Sequence, residues 1–482
     1  MTASDGDRLA QFEALLSAQG KAVLAAAVAA FAEDERAGGG AARELAVGAR
    51  LRAEGVSPAL LAAAFTQAEL RRRAMVKFAR ADRMFFTRAG LEQASSQAAA
   101  EHRAARFAGL CRLVDLCTGI GGDALALARG REIMLVDRDP VHLRMAALNV
   151  AVHAVEGTTV LPTTVLPTTV LPTTAPPTGS TVPTGCLETR LSDVREVDLS
   201  GCDAVFVDPA RRAGDRRLVS RASEPPLAWC FGLADKVAAV AVKAAPGLAT
   251  ELVPPGWEIE FVADGRDLKE AVLFSPALAT ASRRATVLPG PGGSASLRAR
   301  GAPVSLTGTP DPVVPADTGR AGRVGRVGRV GELAGRVAAP GRFLHDPSPA
   351  VTRAGLIGEL GRRLGAWQID PMIAFLTSDE AVTTPFARLL CIEAELPFDV
   401  RRIADLLRSR EIGSLDVRRR GLAGDVEEIR RRLLPRRRDL IPGGPAVTVV
   451  MTRLRGAPWA FVCTPVSDVG GIGCRGGGDR LS

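Results

Sequence analysis

Residues 113–123 read LVDLCTGIGGD, a short apolar run ending in Asp115 followed by a Gly-X-Gly-Gly turn of Gly119, Gly121 and Gly122. An Ala-rich segment comes next, then a second apolar run, MLVDRDP, tipped by Asp137. Strand, glycine turn, helix and acid-tipped strand form the first β-α-β of a Rossmann-like α/β sheet, and few other folds accommodate that order. Each part has a physical job. Glycine lets the backbone turn tightly and approach a ligand with no Cβ in the way. The helix start beyond it offers unpaired N–H groups to an anion. Asp137 is placed to accept both ribose hydroxyls of a nucleotide-type cofactor.

The turn by itself does not separate a dinucleotide from S-adenosylmethionine. Two more strands narrow the choice. Residues 204–212 read AVFVDPARR, ending in Asp208-Pro209, and residues 237–247 read VAAVAVKAAPG, ending at Lys243 and a Pro-Gly turn. In open α/β sheets ligands sit at the carboxyl ends of the strands, so these tips converge on one edge. A methyltransferase uses such a tip to grip the group being methylated, whereas an NAD enzyme has no comparable need for it. Asp115, Gly119, Gly121, Gly122 and Asp137 are therefore candidate cofactor residues. Asp193, in LSDV, is a candidate for the adenine amino group, with a turn-capping Asp as the alternative. Asp208, Pro209 and Lys243 are the candidate catalytic residues. Lys occurs at only five positions (21, 77, 236, 243, 269) among 62 Lys plus Arg. That scarcity singles out Lys243 and Lys269 as places where a compact ammonium has a use.

At 482 residues the chain has room for two or three domains. Its hydrophobic share of 46% is globular, and no apolar run reaches the roughly 18 residues of a membrane span. The start, MTASDGDRLA, carries acids where a signal peptide needs a positive n-region, so a cytoplasmic location is expected. Eight Cys without a Cys-X-X-Cys pair, and only four His, indicate neither a metal site nor a disulfide frame. The formal net charge is +9, and residues 396–456 hold fifteen Arg against eight Asp plus Glu. Arg clusters at 418–420, 430–432 and 436–438 suit phosphate neutralisation, with a solvated face as the alternative. Arg211, Arg418, Arg419, Arg420, Arg430 and Arg431 are the candidate contacts to RNA.

The expected organisation follows the patterning. Residues 1–108 form a helical region, with apolar positions at helical spacing. Its Phe85 and Phe86 either wall the site or fill the core. Residues 109–288 carry the sheet, interrupted at 158–184 by a low-complexity insertion containing TTVLP three times. A Gly/Pro/Arg-rich linker with the tract GRVGRVGRVG spans 289–340, and a connecting segment with a loop bearing His345 and Asp346 spans 341–395. A small α+β domain occupies 396–465, followed by a disordered tail, 466–482.

On these residues the chain resembles a bacterial family of class I S-adenosylmethionine-dependent methyltransferases that end in a THUMP-like domain. The motifs carrying the likeness are RMFFTRAGLEQAS, VDLCTGIGGDALALA, AVFVDPARR, DLKEAVLF, PAVTRAGL, LGAWQIDP and SLDVRRRG through EEIRRRLL to VVMTRLRG. The resemblance implies a methyltransferase fold, S-adenosylmethionine as cofactor, and RNA, either tRNA or rRNA, as substrate; neither membrane nor metal is expected as a partner. Methyl transfer is an in-line displacement, so the enzyme has to hold nucleophile and methyl close, aligned and dry. Asp208 can accept a proton from an acceptor amine. Methyltransferases of adenine amino groups usually follow the Asp-Pro with another Pro and a stacking aromatic. Ala210 and Arg211 stand here instead and the chain has no Tyr, which argues against adenine N6. A 5-methylpyrimidine route needs a Cys beyond the fifth strand tip, and none lies between Cys230 and Cys391. A small-molecule or protein methyltransferase, and a binding protein without catalysis, are the alternatives.

Overall fold

Four helices open the chain: α1 (Ala3–Leu16), α2 (Ala18–Arg36), α3 (Ala42–Ala53) and α4 (Pro58–Ala74). Local chemistry sets their starts. The Ser17 hydroxyl accepts from the Gly20 N–H, and Ser57 accepts from Leu60 with Pro58 in the first turn, where a missing N–H costs nothing. Gly20 permits the tight turn from α1 into α2, since a Cβ there would lie 2.2 Å from the Ala14 carbonyl oxygen. Leu15, Val23, Leu24, Leu51, Leu60 and Leu61 close a small core between these helices. Phe86 is buried, and the partly buried Phe85 packs edge-on against Phe12, 5.4 Å between ring centroids. The pair fills core.

The structure, a computed structural model, describes residues 3–153, 159–160, 186–210, 212–213, 216–217, 223–289, 301–311, 337–434 and 440–466. The TTVLP insertion apart from Thr159–Val160, the GRV tract, Arg211, the cluster 436–438 and the tail from 467 lie outside these residues. The chain divides into two units, residues 1–244 with 273–278, and residues 245–272 with 279–482.

In the first unit the short helices α5 (Arg88–Gln93) and α6 (Gln97–Ala104) lead into a parallel sheet. Its strands are β1 (Arg112–Leu116), β2 (Glu132–Asp137), β3 (Thr159–Val160), β4 (Cys186–Leu191), β5 (Ala204–Val207) and β8 (Ala239–Ala244), in the order β8-β5-β1-β2-β4-β3. Helix α7 (Ala124–Leu127) follows the glycine turn and α8 (Pro140–His153) follows β2. The short strands β6 (Arg212–Ala213) and β7 (Arg216–Arg217) pair with each other, and α9 (Leu227–Gly232) precedes β8. The strand order reverses direction at β1, so the crevice beyond the carboxyl ends of β1 and β5 is a topological switch point. The central strands read as continuous apolar runs because both faces are covered; all four residues of β5 are buried.

In the second unit β9 (Glu258–Asp264), β11 (Arg283–Leu288), β12 (Val304–Gly308) and β10 (Asp267–Phe274, all but its last two residues) form the order β12-β11-β9-β10. Strand β12 falls inside the stretch expected as linker. A seven-stranded sheet holds β13 (Phe343–Pro347), β14 (Trp367–Gln368), β15 (Leu376–Ser378), β16 (Ala387–Pro397), β17 (Ser414–Arg419), β18 (Ala446–Leu454) and β19 (Ala457–Pro465) in the order β14-β15-β13-β16-β19-β18-β17. Helices α10 (Pro349–Ala354), α11 (Ile357–Leu364), α12 (Val400–Arg408) and α13 (Val426–Leu433) complete it. His345 and Asp346, expected in a loop, are strand residues of β13 paired with Leu389 and Arg388. Strand β16 runs through the boundary expected at 396, because a bulge between Ile392 and Ala394 breaks the alternation that would have revealed one long strand. Cys391 is disulfide-bonded, a pairing that Cys spacing gives no sign of.

Candidate functional site

Register brings the chemistry together. Leu116 is level with Val136 on one side and Val207 on the other, and Val207 is level with Val242. The next residue of each strand therefore falls on one row: Cys117, Asp137, Asp208 and Lys243. Asp115 sits two residues back from this row, level with Leu135 and Phe206. Asp193 lies two residues past Leu191, which is level with Asp137, and the Ser192 N–H donates to the Asp137 carbonyl at 3.2 Å. The sequence-derived set Asp115, Asp137, Asp193, Asp208 and Lys243 thus gathers at one edge, with Pro209 buried beside Asp208.

The turn over this edge is tight. Cys117 takes φ of 60°, an unusual conformation for a residue with a side chain and one that concentrates at functional sites. Gly119 (φ 54°) donates its N–H to Asp137 Oδ2 at 2.8 Å, and Asp139 N–H donates to Asp137 Oδ1 at 2.9 Å. A Cβ on Gly119 would meet nothing within 4 Å, so this part of the turn borders open space. The other two glycines are enclosed. A Cβ on Gly121 (φ 80°) would come within 3.0 Å of Ala146 Cα, and one on Gly122 within 3.1 Å of Ala94 Cβ. Asn149, fully buried on α8, donates to the carbonyls of Ile120 and Phe85, both at 2.9 Å, and ties the turn to the MFFT segment. Nothing in the motif announced Asn149; its one signal is a lone amide among the apolar positions of α8.

Asp115 is 1% exposed. The Thr118 hydroxyl donates to its Oδ2 at 2.7 Å, while Oδ1 has no hydrogen-bond partner within the protein. Burial pushes this carboxyl well above the usual carboxylate range, and the nearby Asp123, Asp208 and Asp137 push it further, against the Thr118 bond. A buried carboxylate with an orphaned oxygen is a receptor for a cation or donor group. Asp193 caps a short 3-10 turn through the Arg195 N–H at 2.9 Å and pairs with the Arg195 guanidinium at 3.2 Å.

Lys243 and Asp208 form an ion pair at 2.6 Å, with the lysine side chain 4% exposed and the aspartate 29%. Lys243 also lies 3.7 Å from Asp123, which pairs on its other side with the buried Arg103. Sequence reasoning missed Arg103 and Asp123. Asp123 could have been noticed, since it follows the glycine turn directly.

The expected RNA-contacting arginines divide. Arg420 donates to Asp346 at 3.0 Å, to the Pro347 carbonyl at 2.9 Å and to Thr352 at 3.2 Å, and lies 5.2 Å from the Phe375 ring. Arg420 is held within its own unit. Arg418 pairs with Asp416 at 3.1 Å, and Arg419 donates to the Gly424 carbonyl. Arg430, 3.8 Å from Glu427, and Arg431 are exposed on α13.

Fold and site together define a Rossmann-like protein with a crevice at the carboxyl edge of a parallel sheet. Comparison with known proteins specifies it. Residues 387–465 match the family described as THUMP domain-like, and residues 7–74 match a domain of unknown function, DUF8688. Two relatives from Mycobacterium tuberculosis, strains CDC 1551 and H37Rv, are named uncharacterized S-adenosylmethionine-dependent methyltransferases. Each is 30% identical over 394 residues, covering 79% of this chain and 88% of its own. A crystal structure of a candidate methyltransferase from Porphyromonas gingivalis W83 superposes with TM-score 0.61 and 18% identity, over 86% of this chain and 92% of its own. The chain belongs to the S-adenosylmethionine-dependent methyltransferases, and S-adenosylmethionine is its methyl donor.

The residues present fit that donor. The open space at Gly119, the orphaned Asp115 oxygen and the Asp137 carboxylate suit a ligand with an ammonium, a sulfonium and two ribose hydroxyls.

Proposed function

We propose that this methyltransferase acts in the cytoplasm on RNA, at a base of tRNA or rRNA. Asp208 at the tip of β5 carries the reading: on the row of strand tips that also bears Asp137, it is the part-exposed acid whose carboxylate is paired with the buried Lys243. Asp115, Asp137, Gly119, Gly121 and Gly122 hold the donor, and Asp193, with its second carboxylate lone pairs, takes the adenine amino group. The bound donor supplies a methyl on a positively charged sulfur, and the carbon–sulfur electron pair stays with sulfur as the new bond forms. Asp208 orients an acceptor N–H and takes up its proton, while the backbone at Pro209 fixes the direction of approach.

RNA as the acceptor class is supported by the THUMP domain-like match and by the Arg excess of residues 396–456. Arg430 and Arg431, exposed on α13, with Arg418, Arg419 and Arg211, are the proposed phosphate contacts; Arg420 serves its own unit's packing. The test is incubation of the protein with radiolabelled S-adenosylmethionine and total RNA from a strain lacking the gene. Label in a discrete RNA size class supports the reading. Demonstrated donor binding with no label in RNA moves the assignment to a protein or small-molecule acceptor.

A further inference from the structure

The Lys243–Asp208 pair is the outer end of a longer line of charges. Arg103, on α6, is 1% exposed. Its guanidinium donates to Asp123 Oδ1 and, at 3.2 Å, to the Ser95 hydroxyl, and it lies 5.2 Å from the ring of Phe206, two residues before Asp208 on β5. Asp123 Oδ2 accepts from Ser95 at 3.2 Å and stands 3.7 Å from Lys243 Nζ. Lys243 in turn reaches Asp208 Oδ2 at 2.6 Å. Cation, anion, cation and anion alternate from α6 to the strand tip, and of the four side chains Asp208, at 29%, is the one with substantial exposure.

Stability alone is a weak reason for this arrangement. Taking ions out of water costs several kcal/mol each, and well-packed apolar residues often serve a core equally well or better. The line is instead suited to fixing one group. Lys243 is a compact point charge gripped from behind by a carboxylate that is itself gripped by Arg103, in a chain that writes almost every other cation as Arg. An ammonium held on both sides cannot swing, so it sets the plane of the Asp208 carboxylate.

We propose that Arg103 and Asp123 are positioning residues for methyl transfer, acting through Lys243 to fix the Asp208 carboxylate against the acceptor. This deepens the reading of the site and rests on Asp208 facing the acceptor. The two are separable by experiment. Transfer to RNA, donor affinity and thermal stability are measured for the full-length protein and for Asp208→Asn, Asp123→Asn and the double variant Arg103→Met with Asp123→Asn. Asp123→Asn should lower kcat about tenfold or more through misplacement of the tip, with the KM for donor changed by less than about twofold. The double variant removes one cation and one anion, so it recovers charge balance in the core; it should recover thermal stability while kcat stays low, because Lys243 still lacks its inner carboxylate. Recovery of kcat together with stability would show a purely structural line and overturn the proposal, as would a wild-type kcat in Asp123→Asn. Unchanged transfer in Asp208→Asn would instead overturn the underlying reading of the site.

Discussion

Gly119 and Gly121 stand two residues apart in one turn, both at positive φ, yet alanine should affect them in different ways. At Gly119 the backbone cost of a side chain at φ 54° is about 1–2 kcal/mol, and the new methyl touches nothing. At Gly121 a similar backbone cost adds to a contact of 3.0 Å with the Ala146 backbone, which cannot retreat because α8 is packed against β2. Overpacking of that kind costs about 1–3 kcal/mol, for a combined loss of roughly 2–5 kcal/mol. In a unit of this size Gly119→Ala should lower Tm by about 2–8 °C and Gly121→Ala by roughly 4–20 °C. Donor binding should show the reverse emphasis. The Gly119 methyl enters the open space assigned to the donor, so calorimetric titration with S-adenosylmethionine should show an affinity loss of about tenfold or more, near 1.4 kcal/mol. Calorimetry and thermal unfolding on both variants decide the matter. Wild-type donor affinity in Gly119→Ala, or a stability loss equal to that of Gly121→Ala, would refute the assignment of that space.

Other expectations concern titration and charge. The Asp115 carboxyl is pushed up by burial, so folding takes up a proton there and its stabilising contribution disappears as pH rises through the folded-state value. Asp115→Asn should therefore gain thermal stability relative to the unliganded wild type as pH rises from acid to neutral, and should lose donor affinity. His345 is buried with its pKa lowered to about 4, so the unfolded chain protonates first as acid is added. Stability tied to it falls between about pH 6.5 and 4, by about 3 kcal/mol at full extent, and His345→Gln should flatten that part of a Tm-against-pH curve. Arg420→Met should cost about 1–3 kcal/mol in unfolding by leaving Asp346 without its guanidinium. Arg430→Ala with Arg431→Ala should leave Tm almost unchanged, weaken RNA binding across sequences, and reduce the salt slope by about one per lost phosphate contact.

The gathering of the glycine turn and the strand-tip residues at one sheet edge was legible because the motif's parts are consecutive. An apolar run, a glycine turn and an acid at a strand tip are local signals, and parallel register does the rest by lining up Cys117, Asp137, Asp208 and Lys243. The line behind Asp208 was not legible. Arg103, Asp123 and Lys243 are joined through space; the scarcity of lysine marks Lys243, but Arg103 and Asp123 each alone read as ordinary charged residues. Arginines in one triplet posed a different problem. Arg419 and Arg420 are neighbours of identical type, but one is exposed and the other is bound to Asp346 and set against Phe375, a difference made by strand pairing and chain direction. The expected domain boundary at 396 falls inside strand β16, whose bulge shifts the inward and outward alternation partway along.

The central claim is that Asp208 serves the acceptor while the acids and glycines beside it serve the donor. The measurement that tests it most directly pairs calorimetric donor binding with single-turnover methyl transfer to RNA, for the wild type and Asp208→Asn. The account predicts donor affinity within about twofold of wild type and a transfer rate lower by about a hundredfold, the range for loss of a positioned proton acceptor. Wild-type transfer by Asp208→Asn, or loss of donor binding in proportion to rate, would contradict it.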